Sequence, residues 1–539
     1  MTAEVDGFGR RSAALLAVLG YAALLLTWVV GNPPFAGPDE SGHYSRAVSI
    51  PMDGFVGDQV DDYGPPDLNP VQLAVVRQAV RQVTIPAGLS PRGRSCFIHS
   101  PRDSVACLDE AEPPPDEPVE WITNVGTYQP AFYILPGYVA TLASTPEVAA
   151  GLARGAGAAT SLALLASGIF VVRQPGRGRL WVLGPLVAIT PMVLFTAASL
   201  NPSGPEIAAG FALTAALLRL SRASGPSWGV WGLAGVAGAA LVLGRSIGPV
   251  WLVVHLIAFV LWHGLSPTVR LVRSHPAEAA TAALAVAIAL AANFAFEAAH
   301  GLEVTIDPRP VGPSLAAAWS FTREALVRHA VGVFGYLNVP LPRVLYQAWW
   351  LLGLSLWGLA LALGSARQRA VLGLVTAGVL AAPILLETLV LRHHGFHIQG
   401  RHLLPILVIV PLMSGEIVAD RSDRVAARVA TGLVVSAGAL VACVHLLAWY
   451  TNARRAAAGI TGTWGFPLRA EWAPPGGWLP WLALAALGAA LLAAAALSAA
   501  SGSRRHPARP PGSSSTDHPG RRLPPRSRPR STAVPDERT

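Results

Sequence analysis

Charge is scarce in this chain. Only 13% of its 539 residues are Asp, Glu, Lys or Arg, while 52% are hydrophobic; a water-soluble domain carries about a quarter of its residues charged. Lysine is missing altogether, so all forty basic residues are arginine; the accompanying excess of Ala, Gly and Pro reads as coding bias and implies no mechanism. No Walker loop, dinucleotide fingerprint, nucleophile elbow or zinc-type spacing occurs. Nor do charged residues populate the middles of the apolar runs, as a proton or ion pathway would require. A soluble enzyme, a β-barrel and a fibrous protein are all excluded. What remains is a mean hydropathy of +0.45 and a series of apolar runs, each long enough to cross about 30 Å of hydrocarbon.

The net charge of +9 looks at first like a nucleic-acid signature. It is topological instead, and no nucleic-acid partner is expected. Nine arginines against Asp517, Asp536 and Glu537 sit in the tail from Ser501 to Thr539, whereas the stretch from Asn32 to Pro130 holds fourteen carboxylates against six arginines. Hydropathy places a first span at Ala13 to Gly31. It has no small-residue cleavage site after it and is read as an uncleaved anchor with a cytoplasmic N-terminus. Further spans fall at about Glu147 to Val172, Leu180 to Leu200, Glu206 to Leu220, Val230 to Leu243, Ile247 to Trp262, Ala277 to Phe296, Leu345 to Leu363, Ala370 to Leu391, His402 to Ala419, Thr431 to Tyr450 and Gly477 to Ala500.

The expected fold is therefore an all-α polytopic bundle of about twelve spans over residues 1–500, with a disordered Arg-, Pro- and Ser-rich cytoplasmic tail over 501–539. Arginines cluster in alternate short loops (Arg173, Arg177 and Arg179; Arg219 and Arg222; Arg270 and Arg273; Arg367 and Arg369; Arg421, Arg424 and Arg428). By the positive-inside rule these lie on the side of Arg10 and Arg11. The first large loop (32–130), the segment 297–344 and the loop from Arg392 to Arg401 then lie outside. Cys96 and Cys107 share the first loop, where an oxidising compartment permits a disulfide stapling it over the membrane; Cys443 falls inside a span.

Four outer motifs carry polar chemistry. Asp39, Glu40 and His43 open the first loop; with Asp39 as a helix cap, Glu40 and His43 share a face that suits a general base or a divalent cation, or they form an ordinary solvated first turn. Thr127 to Tyr133 forms an aromatic entry to a Pro- and Gly-interrupted apolar segment, either a half-embedded helix lining a cavity or an interfacial belt. Asn201 and Glu206 sit at a helix start, consistent with capping. Arg392 to His402 packs six potentially cationic side chains into eleven residues. That cluster suits a phosphate at headgroup depth, a transition metal without a completing acid, or snorkelling toward lipid. The segment 297–344 adds Trp319, Arg323, Arg328 and His329 on an interfacial helix.

Together, Pro38-Asp39-Glu40-x-x-His43, Tyr128-Gln129-Pro130-x-x-Tyr133, Ser199-Leu200-Asn201-Pro202, Phe334-Gly335-Tyr336-Leu337-x-x-Pro340-Leu341-Pro342 and Gln399-Gly400-Arg401-x-Leu403-Leu404-Pro405 resemble the bacterial integral-membrane family called domain of unknown function 2142 (DUF2142). That family is similar in layout to the GT-C glycosyltransferases, which take a sugar from a polyprenyl-phosphate donor near the outer membrane surface. The resemblance implies a multi-pass protein of the bacterial cytoplasmic membrane with both termini cytoplasmic. It implies Asp39 as base, Glu40 and His43 assisting it or a divalent cation, and Arg401 holding the donor phosphate with His394, His397 and Gln399. Tyr128, Gln129, Asn201 and Glu206 join them as substrate-binding residues. Tyr128-Gln129-Pro130 stands where many relatives carry His-Pro-Pro, and Asn338 where an Asp is common, which withholds a base or metal-ligand role from both.

The function expected is transfer of a sugar from that donor to a cell-envelope glycan, lipid or protein. The alternatives are a transporter or flippase of lipid-linked intermediates and a non-catalytic scaffold of envelope assembly. A flippase needs polar groups or broken helices near the midplane, and the spans offer few.

Overall fold

The computed structural model describes residues 2–60, 62–173, 178–222, 227–302 and 308–501, with side chains omitted for 2–11 and for Leu326. The tail expected to be disordered, from 502 onward, and the orienting Arg177 lie outside the described residues.

A long apolar helix α1 (Thr2–Gly31) leads into a folded cap built from α2 (Glu40–Asp53), β1 (Asp58–Gln59), α3 (Pro70–Ala79), β2 (Arg81–Ile85), β3 (Val119–Thr123) and α4 (Ala131–Ala140). Helix α3 starts where it does because Asn69 accepts from the Val71 and Gln72 N–H groups and Gln72 reaches back, while Pro70 occupies the first turn without leaving an orphan donor. The strands make an antiparallel sheet in the order β1-β2-β3, with Val83 opposite Trp121. Val83 and Ile85 join Phe35, Tyr44, Val48, Tyr133 and Leu200 in a small core distinct from that of the bundle. Cys96 and Cys107 are joined in a disulfide within this cap. Helix α4 packs Tyr133 into this core while Leu135 and Tyr138 on its other face stay exposed.

The bundle continues with α5 (Pro146–Val172), α6 (Leu183–Ala188), α7 (Pro191–Ala198), α8 (Ser203–Leu220), α9 (Trp228–Gly244), α10 (Gly248–His263), α11 (Leu265–Ser274) and α12 (Pro276–His300). After α13 (Val311–Phe321) and the short α14 (Val327–His329) comes a hairpin of β4 (Val333–Phe334) and β5 (Val339–Pro340). Then follow α15 (Arg343–Leu363), α16 (Ala366–His393), α17 (Leu404–Leu407), α18 (Ile409–Asp420), α19 (Ala427–Ala458) and α20 (Trp478–Ser501). The strands add two small sheets to a chain that is otherwise helical.

Among the described residues, eight helices are long and apolar enough to span a membrane, or up to ten if each of two bent pairs counts as one span. The protein is thus a multi-pass membrane protein, with fewer qualifying spans than the twelve expected. Glu206 and Arg219 lower the apolarity of the 18-residue α8, and α9 has only 17 residues. The bent pairs have local causes. Thr190 caps α7 and Pro191 opens it, breaking the α6–α7 segment by 57°. Gly264, at φ +97°, permits the 101° turn from α10 into α11.

Large apolar side chains such as Leu284, Ile288 and Phe294 of α12 face outward, which is costly in water and natural in lipid. Inside, small residues bring backbones together. A Cβ on Gly20 would lie 2.9 Å from the Gly488 carbonyl, so α1 and α20 pack in near-contact. The hairpin of β4 and β5 packs at the end of α1, where the rings of Trp28, Phe195 and Phe334 meet edge-on or tilted.

Candidate functional site

The chain reverses at Pro33 to Asp39 and presents Asp39 in a left-handed conformation, φ +59°. This backbone is strained for most residues and tolerated by Asp better than by bulky ones. The expected side-chain cap of α2 is absent. The carboxylate is used elsewhere: Oδ2 accepts 2.8 Å from Arg401 Nη2, and Oδ1 accepts 3.3 Å from the Tyr336 hydroxyl at the hairpin turn. Asp39 keeps 24% of its side chain exposed, against 2% for Arg401. Burial opposes the charge, but Arg401 above all, with His43 and Arg245, holds the Asp39 carboxyl below the usual carboxylate range. Burial also pushes the Tyr336 phenol up to about 12, with Asp39 adding to the shift.

Glu40 does not assist Asp39. Its carboxylate is 1% exposed and takes a bidentate pair from Arg154 of α5, at 2.6 and 2.5 Å, plus the N–H groups of Gly37 and Leu200 at 2.8 Å each. Arg154 also donates to the Asn32 and Pro33 carbonyls at 2.8 and 2.7 Å. The pair therefore fastens the end of α1, the reversal before Asp39 and α5 to one another. It is an anchor that positions Asp39.

His43 is likewise committed. Asn201 Oδ1 accepts from the Ser203 N–H, which leaves its amide nitrogen to donate to His43 Nε2 at 2.9 Å. The proton on the ring then sits on Nδ1 and is donated to the Tyr133 hydroxyl, 2.6 Å away. Burial pushes His43 down to about 3; Asp39 opposes the shift and Arg401 and Arg245 reinforce it. Neither ring nitrogen is available to a metal, and Glu40 is spent on Arg154. Asp39, Glu40 and His43 thus do not fit a divalent cation, and no group of three His, Cys, Asp or Glu able to hold one occurs among the described residues.

Asp39 and Arg401 line a cavity of about 710 Å³ together with Tyr128, Gln129, Arg245, His394, Gln399 and His402. Its apolar wall includes Val75 and Val76 of α3 and Leu386 and Val390 of α16. Several buried polar atoms here have no partner among the described residues: Nε and Nη1 of Arg401, Oε1 of Gln399 and Nε2 of His402. Buried donors and acceptors left unmade are costly, and an anion with hydroxyl groups would satisfy them. Gly400 lets this strand of residues approach α14, since a Cβ there would sit 2.2 Å from that of His329.

Other residues singled out in the sequence divide. Gln129 donates to Glu297 Oε1 at 3.2 Å and to the Asn293 carbonyl, linking α12 to the cavity floor. His397 is on the rim, paired with Glu387 and stacked on Phe321 at 4.6 Å. Asn201 touches His43 and not the cavity. Glu206 is fully buried behind the wall, its Cγ packed under Gly244, with neither oxygen hydrogen-bonded among the described residues. Arg392 turns away to the Arg309 carbonyl.

Sequence reading missed Arg245, Arg154 and the hydroxyl of Tyr336. Arg245 stands in the three-residue break between α9 and α10, its guanidinium 5.0 Å from the Tyr128 ring centre and 3.2 Å from Ser203 Oγ. A lone arginine between two apolar runs was the available signal.

No curated protein matches the chain. Two solved structures are similar: ArnT from Cupriavidus metallidurans in the apo state, at 14% identity and a TM-score of 0.46, and the same protein bound to undecaprenyl phosphate, at 15% and 0.40. In both cases 89% of this chain and 76% of the other are covered; TM-scores below 0.5 do not establish a shared fold. The family description "Predicted membrane protein (DUF2142)" matches residues 23–410, a stretch that contains the whole cavity lining from Asp39 to His402. The chain belongs to the DUF2142 family.

Proposed function

We propose that this protein is a membrane glycosyltransferase that moves a sugar from a polyprenyl-phosphate donor to a cell-envelope acceptor, a glycan, lipid or protein, on the extracytoplasmic face. The observation that carries the reading is the contact of a partly exposed carboxylate, Asp39, with a buried guanidinium, Arg401, whose other two nitrogens have no partner among the described residues. Arg401 and Arg245 supply two forks for a phosphate. Below Arg401, starting one turn on at Leu404, lies an apolar cavity of about 300 Å³ walled by Trp349, Trp350, Trp357 and Leu407, suited to the first units of an isoprenoid chain.

In this reaction the acceptor hydroxyl oxygen bonds to the anomeric carbon while the bond from that carbon to the phosphate oxygen breaks. Asp39 takes the hydroxyl proton; the electron pair leaves with the phosphate, whose growing charge rests on Arg401 and Arg245. A donor phosphate also draws on the guanidinium that otherwise neutralises Asp39, so donor binding raises the proton affinity of the base when it is needed. The acceptor then needs positioning more than a covalent nucleophile.

Membranes containing the full chain, given labelled donor, test the proposal. Asp39→Asn and Arg401→Ala should each abolish transfer at unchanged protein abundance. Full activity in both variants would overturn it.

A further inference from the structure

The helices that build the Asp39 cavity at one end build a second, polar cavity at the other. Helix α8 runs from Ser203, beside Arg245, to Leu220; α10 from Gly248 to His263; α16 back from His393 to Ala366; and α18 ends at Asp420, after the segment that begins with Arg401. An 18-residue helix is about 27 Å long, so the two cavities stand about a bilayer core apart. The second one measures about 320 Å³ and is lined by Arg222, His263, Arg367, Gln368, Asp420 and Arg421, among others.

Its charge is unbalanced. Arg222 is paired with Glu416 and, at 3.0 Å, with Asp420. Among the described residues that line the cavity, Asp420 is the one carboxylate, against Arg222, Arg367 and Arg421 and the ring of His263. Arg367 closes one side by donating to the Leu261 and Trp262 carbonyls at 3.3 and 3.1 Å, which ties the start of α16 to the end of α10. Buried nitrogens Nη1 of Arg222 and Nε of Arg421 find no acceptor among the described residues. Two orphaned guanidinium donors on residues that line a cavity with more arginines than carboxylates call for an anion with several oxygens.

The depth of the cavity identifies the anion's carrier. Helix α11 leaves α10 at 101° right beside His263. Its Leu265, Val269 and Val272 are exposed together with Arg270 and Arg273, the pattern of a helix lying in the membrane interface. The cavity next to it is therefore at headgroup level. Its described lining includes Trp262, whose indole donates to Ser221 Oγ at 3.2 Å, and Arg222, Arg367 and Arg421 outnumber the carboxylate of Asp420 there.

We propose that this second cavity binds the phosphate of an anionic lipid headgroup at the membrane face opposite Asp39. The inference does not rest on the transferase reading.

The test uses the full chain purified in detergent. Phosphatidylglycerol in phosphatidylcholine micelles should raise the thermal midpoint more than phosphatidylcholine alone, and native mass spectrometry should detect retained phosphatidylglycerol. Arg421→Gln should weaken its apparent affinity about tenfold, with Arg421→Lys recovering part of it. Asp39→Asn should respond as the unsubstituted protein does. Equal effects of the two lipids, an undiminished response of Arg421→Gln, or loss of the response in Asp39→Asn would each overturn the proposal. So would stabilisation by inorganic phosphate alone with none by the lipid, which would make the ligand a free anion. The mass measurement reads bound lipid even where a variant is less stable.

Discussion

Asp39 Oδ2 and Arg401 Nη2 lie 2.8 Å apart although 362 residues separate them in the chain. The pairing joins the reversal after α1 to the turn before α17, so the candidate base and the candidate phosphate ligand are set by two distant loops. Each side of the pair has a different expected kinetic signature.

Asp39→Asn should lower kcat by about 10²–10⁴-fold, the range for losing a general base, and leave the KM for the donor nearly unchanged. Arg401→Lys keeps the charge and loses the fork, and should raise the donor KM as well as lower kcat. A steady-state series against donor concentration separates the two; identical effects on both parameters in both variants would contradict the division of roles.

Arg245 is placed to hold the same phosphate from the other side. Arg245→Ala should weaken donor binding by about ten- to a hundredfold, and Arg245→Lys less, since one charge-assisted hydrogen bond contributes about 1.5–3 kcal/mol. Donor titration by tryptophan fluorescence or calorimetry measures this. An unchanged affinity would remove Arg245 from the site.

The Glu40–Arg154 pair should behave as structure and not as chemistry. Removing one partner of a buried ion pair strands the other, at a cost of about 3–5 kcal/mol. Arg154→Ala and Glu40→Ala should therefore both lower the thermal midpoint and the yield, and any surviving protein should bind donor with reduced capacity but unaltered affinity. A stable Glu40→Ala protein with a slowed chemical step would instead return Glu40 to the reacting centre.

Acid should unfold the protein through His43 before it affects Asp39. The folded state holds His43 near 3, below its ordinary value of 6.5. Between those two values the unfolded chain carries a proton that the folded chain does not, so the contribution of His43 is complete above about 6.5 and falls as pH drops toward 3. Asp39, depressed by Arg401, stabilises the fold above the unfolded carboxylate range, and that contribution is lost as pH falls through its lowered folded value. Thermal midpoints measured from pH 7 to pH 4 should decline, and His43→Gln should flatten the slope. An equal slope in that variant would assign the decline to other groups.

How much of this was legible beforehand depended on the kind of signal. Apolar period and length marked the long helices, and α5, α10 and α20 begin and end close to the hydropathic boundaries, whereas α19 runs eight residues past the expected Tyr450. Hydropathy is least decisive at α8, where a buried Glu206 and a terminal Arg219 sit in a helix that is central to the bundle. Motif order pointed to Asp39 and Arg401. It made Asp39 the base but cast Glu40 as its assistant, because adjacent carboxylates on a turn diverge by side-chain direction, and only the partner on α5 shows that Glu40 is locked. Arg154 itself was hidden inside an Ala- and Gly-rich span, where no local pattern announces its role. Arg245 depended on a helix break that length arithmetic placed without assigning any use to it.

The contact of α1 with α20 at Gly20 and Gly488 has a bearing on biogenesis. Ribosomes deliver α1 well before α20, so α1 waits in the bilayer while the helices between them are made, and only then is its Gly20 face covered. Closing the bundle along this seam therefore joins segments made far apart in time.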